Sequence, residues 1–309
     1  MAEWLWEAGI GERRAALVEG DTIIEAVIET DGGVRLGGIH HARRSAPDRA
    51  TLSDGTEIQL TGPAPRVSQG AALAIEIVRE AIPEAGRAKL PRGVVSTEPP
   101  RPAPDLPSRL AATGHRVRAL RAHEPDALEA AGWSELLDEA TSGEIVFAAG
   151  ALRLSPTPAM TLFDVDGAAP LEPLAVAAAR AIVAAIRRHG IGGSIGIDFP
   201  TLTGKPARAA VAAMIDAHLP QPFERTAVNG FGFMQIVRPR PRASIPDMLR
   251  ADPVAAAARA ALRTLERIPP GTPRAMRLPA PVLAYLADRP TWLAELARRT
   301  GVEPQLECA

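Results

Sequence analysis

Cysteine is nearly absent from this chain, whose 309 residues include only Cys308. One thiol can build neither a disulfide framework nor a CxxC zinc site, so we expect no zinc. The chain also lacks an apolar run long enough to span a bilayer. Residues 1–7 do not have the basic-then-apolar layout of a signal peptide. We therefore expect a soluble, cytoplasmic protein with no membrane partner.

Aromatic residues are scarce as well, at 4% of the chain, and none occurs between residues 9 and 113. Alternating apolar positions at 17–28, 50–60 and 72–79 nevertheless predict a β-rich first domain in this region. Domains that bind single-stranded nucleic acid usually stack bases on aromatic side chains. Their absence favours a packing or dimerising role for this domain.

Two strand-like runs carry aspartates near their ends. The first, 161–167, reads TLFDVDG and places Asp164 and Asp166 on one face of a strand, because strand side chains alternate. The second, 194–199, reads SIGIDF and contains Asp198. Between the two runs, apolar residues recur at helical spacing and stop at His189.

This strand–helix–strand order predicts a crossover that returns the second strand parallel to the first. Both carboxyl ends would then lie at one edge of the sheet, where open α/β folds bind ligands. We expect Asp164 and Asp198 to lie close together and to supply carboxylate oxygens to Mg²⁺. The alternative is that each aspartate caps a turn or a following helix.

A second pattern consists of four short segments that follow one another along the chain. They are 159–166 (AMTLFDVD), 187–193 (RRHGIGG), 195–199 (IGIDF) and 231–240 (FGFMQIVRPR). In this order and spacing they resemble the catalytic region of the RNase E/G family of bacterial endoribonucleases. Weaker likenesses are 14–20, which resembles the family's opening strands, and 78–90, which resembles the end of its OB-type RNA-binding domain.

The resemblance implies an α/β fold of the α+β multidomain kind. Residues 1–95 would form a β-rich, OB-like N-terminal domain, and 96–108 a Pro-rich linker. Residues 109–250 would form a DNase I-like/RNase H-like α/β catalytic core. A helix and connector over 251–273 would lead to a short C-terminal helical/αβ unit at 274–309, which resembles a family domain cut off early.

The resemblance also implies a mechanism, the hydrolysis of single-stranded RNA to 5′-phosphate and 3′-hydroxyl products. The family residues that match Asp164 and Asp198 hold Mg²⁺, and Mn²⁺ could replace it because both ions favour oxygen ligands. The residue that matches Asp166 is an asparagine that assists at the site. Here the acid could add a metal ligand or raise a neighbour's pKa, and its role stays open.

Basic residues indicate where RNA would bind. Residues 1–150 carry 16 basic and 23 acidic side chains, and residues 151–309 carry 19 and 13, so the catalytic half is the basic half. Arg238, Arg240 and Arg242 alternate with prolines and are candidate phosphate contacts, although such residues also protect an exposed sheet edge. Lys205 is either a phosphate contact or a solvated loop residue.

The chain departs from the family at two places. Residues 244–261 contain no cysteine, so a zinc-linked tetramer is not expected, while a homodimer stays open. The Pro-rich window offers no counterpart of the family's 5′-monophosphate sensor. These losses favour a second interpretation, a non-catalytic RNA-binding or scaffold descendant.

A glycosidase that uses the two acids is a third interpretation. The chain, however, lacks the aromatic side chains on which such enzymes stack sugars.

Helical patterns complete the sequence prediction. Residues 125–139 read as one or two helices, and 254–267 as an Ala-rich helix that needs a partner surface. Residues 280–286 and 291–299 are expected to be helical, and 302–306 extended.

Overall fold

The fold was obtained as a computed structural model that describes residues 1–62, 67–84, 88–168 and 170–309. Its strands, in chain order, are β1 (Glu3–Ala8), β2 (Glu12–Glu19), β3 (Thr22–Thr30), β4 (Ile39–Ala46), β5 (Arg49–Leu52), β6 (Glu57–Leu60), β7 (Ala72–Arg79), β8 (Arg92–Ser96), β9 (Arg116–Ala119), β10 (Glu144–Phe147), β11 (Gly150–Pro156), β12 (Thr161–Asp166), β13 (Gly193–Asp198), β14 (Glu224–Arg225), β15 (Phe233–Arg238), β16 (Ala275–Leu278) and β17 (Gln305–Cys308).

The helices are α1 (Leu106–Ala111), α2 (Ala127–Ala130), α3 (Trp133–Ser142), α4 (Leu171–Arg188), α5 (Lys205–His218), α6 (Ile245–Ala251), α7 (Pro253–Arg267), α8 (Ala280–Ala287) and α9 (Pro290–Thr300). Together with the strands they make a mixed α/β fold, as the sequence predicts. The helical patterns over 125–139, 254–267, 280–286 and 291–299 are confirmed.

The first sheet has the order β3-β2-β1-β9, in which β1 to β3 are antiparallel and β9 runs parallel to β1. One face packs on α1 through Leu106 and Leu110. The other packs on α3 and α6 through Trp133 and Leu249. Because β9 follows the Pro-rich segment, this sheet joins residues from both sides of the domain boundary predicted at 95.

A closed barrel, ordered β4-β5-β6-β8-β7, lies in the chain between β3 and β9. Its small core is aliphatic, with Ile58, Ile75 and Ile77 fully buried. The Pro-rich segment that leaves the barrel pairs back onto β4, because Arg101 and Ile39 exchange backbone hydrogen bonds of 2.9 and 3.0 Å. Within the family-like segment 78–90, residues 85–87 lie outside the described residues.

The second sheet has the order β10-β11-β12-β13-β15-β14. Strands β12 and β13 are parallel and are joined by α4, whereas the other pairings are antiparallel. The apolar stripe of α4, which includes Ile182 and Ile186, packs on the buried side of this sheet, and α5 packs beside α4. The predicted strand–helix–strand unit is therefore confirmed.

Helix α7 finds its partner surface within the chain. Its apolar side packs on Ile10 and on the C-terminal unit formed by α8, α9 and the parallel strands β16 and β17. Its arginine side, with Arg259, Arg263 and Arg267 at intervals of four residues, meets acids of the first sheet. The helix thereby fastens the C-terminal unit to β1 and β2.

Candidate functional site

The crossover through α4 brings Asp164 and Asp198 side by side. They are register partners on the parallel strands β12 and β13. Neighbouring strands lie about 4.8 Å apart, so the two carboxylates extend from adjacent positions near the carboxyl ends of the strands. This closeness was expected from the sequence, and the register shows it.

Neither carboxylate has a structural partner. Both side chains are exposed, and neither forms a hydrogen bond or an ion pair with any described residue. The helices that follow these strands, α4 and α5, have Pro170 and Gly204 as their N-cap residues, and no side chain caps either helix. The capping alternative therefore fails for both aspartates. Like charges at facing positions of a sheet repel each other, so a bound cation would relieve this pair.

The aspartates stand on a sheet face that carries exposed side chains. Strand alternation directs Phe163, Ile197 and Met234 to the buried face under α4 and α5. On the opposite face, Val146 is 75% exposed and Val237 51%. An extended ligand could lie across this face and reach both carboxylates.

Asp166 shares the strand face of Asp164 but is held by an arginine. Its Oδ2 lies 3.0 Å from Nε of Arg153, and both side chains are largely exposed. Arg153 is also the register partner of Asp164 on β11. Sequence reasoning missed Arg153, because only the pairing of β11 with β12 places it here. The ion pair draws Asp166 toward β11, away from Asp198.

An exposed aromatic ring lies at the same edge. Phe231 is 85% exposed, and it precedes Phe233, the register partner of Asp198. Oδ1 of Asn229 accepts hydrogen bonds of 2.9 Å and 3.0 Å from the backbone N–H groups of these two phenylalanines. Gly232 has φ of +94°, and a Cβ there would lie 2.2 Å from the Phe199 carbonyl oxygen. The turn is thus fixed, and it presents Phe231 to solvent.

Two cations follow β13 at the first turn of α5. Lys205 is exposed and opens the helix, seven residues after Asp198. Arg208, three residues further, donates to the Leu202 carbonyl at 3.0 Å. Neither forms an ion pair with a described carboxylate. Arg208 has a sequence signal that was not used, its spacing of one helical turn from Lys205.

The arginines after β15 lie elsewhere. Arg238 pairs in register with Gly193, at the far end of β13 from Asp198, so roughly 17 Å of strand separates them. Arg240 is engaged with Asp247 at 2.9 Å and with Glu84 at 3.6 Å. Burial lowers the pKa of Arg238 and of Arg242, and neither forms an ion pair with a residue that the structure describes. The structure does not bring the three arginines together with the aspartates.

His189 ends α4 and is fully buried. Its Nε2 lies 3.1 Å from Oε2 of Glu139, and burial lowers its pKa although that carboxylate opposes the change. The residue is therefore part of the packing between α3 and α4. It lies at the end of α4 that is remote from the aspartates.

A metal site on these residues would be built from few protein ligands. Within the four described ranges, no group of three or more Asp, Glu, His or Cys side chains is arranged to hold a metal ion. Mg²⁺ commonly uses one or two carboxylates and keeps several waters. The pair Asp164 and Asp198 fits that chemistry.

Two comparisons with known proteins add no information about the site. Neither the protein-family models nor the curated proteins give a match to the chain. Among the described residues, no helix is long and apolar enough to cross a membrane.

Proposed function

We propose that this chain is a Mg²⁺-dependent endoribonuclease that hydrolyses single-stranded RNA to 5′-phosphate and 3′-hydroxyl products. The observation that carries the proposal is the register pairing of Asp164 with Asp198, two exposed carboxylates without structural partners. The four-segment likeness to the RNase E/G family supports it. On this proposal the barrel is OB-like, the second sheet is RNase H-like and the protein works in the cytoplasm.

Asp164 and Asp198 would hold the ion through their carboxylate oxygens. Bound there, Mg²⁺ would supply charge stabilisation for the scissile phosphate and would activate a water. Mn²⁺ is expected to support the same chemistry. Asp166, through its pair with Arg153, would fix the position of that arginine beside the site. Arg153 would then offer a guanidinium to the RNA backbone on the open face.

Residues around the pair would position the RNA. Phe231 would stack a base, because base–aromatic stacking needs no sequence-specific contact. Lys205 and Arg208 would bind phosphates on one side of the scissile bond. Arg238 and Arg242 could meet the backbone only several nucleotides away, and Arg240 is already engaged in ion pairs.

The decisive experiment measures cleavage of a labelled, unstructured RNA by wild type, Asp164→Asn and Asp198→Asn, with Mg²⁺ or with a chelator. We expect internal cleavage by wild type with Mg²⁺ and a loss of at least about a hundredfold in each variant, because each removes a charged metal ligand. RNA affinity measured in chelator should change little. Equal rates on 5′-hydroxyl and 5′-monophosphate RNA would show that end sensing is absent.

Glu135→Gln is the control. Glu135 is exposed on α3, outside the second sheet, and its side chain forms no hydrogen bond or ion pair with a described residue. This variant should cleave at the wild-type rate. Cleavage that survives in Asp198→Asn as well as in Glu135→Gln would refute the two-aspartate site.

A non-catalytic RNA-binding scaffold is the second candidate. One observation favours it, the engagement of Asp166 with Arg153. A scaffold would retard RNA on a gel and leave it intact with Mg²⁺ or Mn²⁺. A homodimer is compatible with either function.

A further inference from the structure

A cavity lies beyond the end of β15 that is remote from the aspartates, with Arg242 in its wall. Its volume is about 410 Å³, within the range of small-molecule sites, which is roughly 300–1,000 Å³. The end of β3, the barrel, helices α6 and α7 and the C-terminal unit all contribute to its wall. Such a junction between several units is a common place for a ligand site.

The acids of this cavity are all engaged. Glu80 pairs with Arg35 at 2.9 Å and accepts a hydrogen bond of 3.2 Å from the Leu36 N–H. Glu29 is bound by Arg109, and Asp252 accepts a hydrogen bond of 2.9 Å from the first turn of α7. The fourth acid, Asp31, lies 3.6 Å from Arg13. Three of these acids therefore have a cationic partner, whereas Asp252 is bound by a backbone N–H group alone.

Two of the four arginines that line the cavity have no ion pair with a described carboxylate. Arg35 and Arg259 have carboxylate partners, Glu80 and Glu12. Arg242 forms no hydrogen bond or ion pair with any described residue, although it is mostly buried. Arg289 donates to the Tyr285 carbonyl at 3.0 Å and has no carboxylate partner among these residues. Two guanidinium groups without a direct carboxylate contact therefore line one space, and Glu80 and Glu25 attract Arg242 only from a greater distance.

Aromatic rings stand beside one of these two arginines, Arg289. Tyr285 and Trp292 line the cavity with ring centroids 6.0 Å apart, and the Arg289 guanidinium lies 3.5 Å from the Tyr285 centroid. This stacking holds Arg289 in place. Trp292 packs so closely against Gly11 that a Cβ there would lie 2.4 Å from the indole. The arginine and the two rings therefore form a preorganised wall.

We propose that this cavity binds a nucleoside monophosphate. Arg242 and Arg289 would take the phosphate, since guanidinium groups match phosphate oxygens in pairs. The apolar and aromatic side chains, including Met248 and Trp292, would contact the planar base. The assignment does not depend on the proposed nuclease activity, because it shares no residue with the aspartate pair.

The test is isothermal titration calorimetry of the full chain with AMP, ribose 5-phosphate and inorganic phosphate. We expect one AMP per chain, bound at least about tenfold more tightly than ribose 5-phosphate. Arg242→Gln and Arg289→Gln should each weaken AMP binding by at least about tenfold, a change of about 1.4 kcal/mol. Thermal unfolding of both variants checks that they fold. Arg242→Gln removes a mostly buried guanidinium that forms no hydrogen bond with a described residue, so it should not lower the Tm.

Two controls define the result. Arg180→Gln removes an exposed arginine of α4 that has no described partner and lies outside the cavity, so it should bind AMP like wild type. Asp164→Asn should also bind AMP normally, which separates this site from the nuclease proposal. No saturable AMP binding at millimolar concentration, or unchanged binding in both cavity variants, would overturn the proposal. Equal affinity for inorganic phosphate would overturn the nucleoside part of the assignment.

Discussion

Phe231 is exposed because neighbouring residues fix the turn on which it lies. The Asn229 side chain holds both phenylalanine N–H groups, and Gly232 passes too close to the Phe199 carbonyl for any side chain. The sequence shows a Gly-Phe-Gly-Phe run but cannot show which phenylalanine is exposed. That outcome depends on the pairing of β15 with β13, which buries part of Phe233 and leaves Phe231 beyond the strand.

We expect Phe231→Ala to weaken binding of single-stranded RNA by about 1–3 kcal/mol, the usual contribution of one stacked base. Fluorescence anisotropy with a labelled oligonucleotide in chelator would measure the change. Phe231→Tyr keeps the ring and should bind like wild type. Unchanged affinity in Phe231→Ala would show that the base lies elsewhere. The folded state should be unaffected, because the side chain is 85% exposed.

Secondary-structure elements explain which site residues could be predicted. The unit β12-α4-β13 is local in sequence, and one crossover rule was enough to place Asp164 beside Asp198. Arg153 and Phe231 reach the site through antiparallel pairings, whose register the sequence does not specify. The pairing of β1 with β9 joins residues more than 100 positions apart and had no local signal.

The arginine side of α7 shows how strongly one helix can be fixed by charge. Burial alone would raise the pKa of Glu7, but Arg14, Arg263 and Arg267 outweigh it and lower the pKa from 4.5 to about 2. A carboxyl whose pKa is lower in the folded state stabilises the protein above pH 4.5 and loses this effect as the pH falls toward 2. Acid should therefore loosen α7 from the first sheet.

Glu7→Gln should lower the free energy of unfolding at pH 7 by about 3 kcal/mol, because three buried arginines lose the carboxylate that they share and keep only their contacts with other acids such as Glu12 and Asp126. Urea unfolding from pH 7 down to pH 2 would measure this, and the difference from wild type should shrink below pH 4.5. Glu3→Gln is the control. Glu3 lies 3.5 Å from Arg118 at a more exposed position, so its loss should be below about 1 kcal/mol. A pH-independent difference for Glu7→Gln would contradict the charge argument.

At the scale of the whole molecule, the fold class was predictable and the arrangement of its parts was not. Strand alternation and helical periodicity indicated a β-rich region followed by α/β units. The expected boundary at 95 follows composition, whereas the strands of the first sheet pair across it. The barrel is thus an insertion in the chain between two strands of the first sheet.

Arg101 and Ile39 pair where the chain enters and leaves the barrel. The barrel can consequently open without separating any strands of the two sheets, and its aliphatic core is separate from theirs. We expect it to be a cooperative unit of its own, with lower protection against hydrogen exchange. Native-state exchange should release the Ile75 and Ile77 amides before those of Ile195 and Ile197. Uniform protection would instead mean that the barrel and the sheets unfold as one.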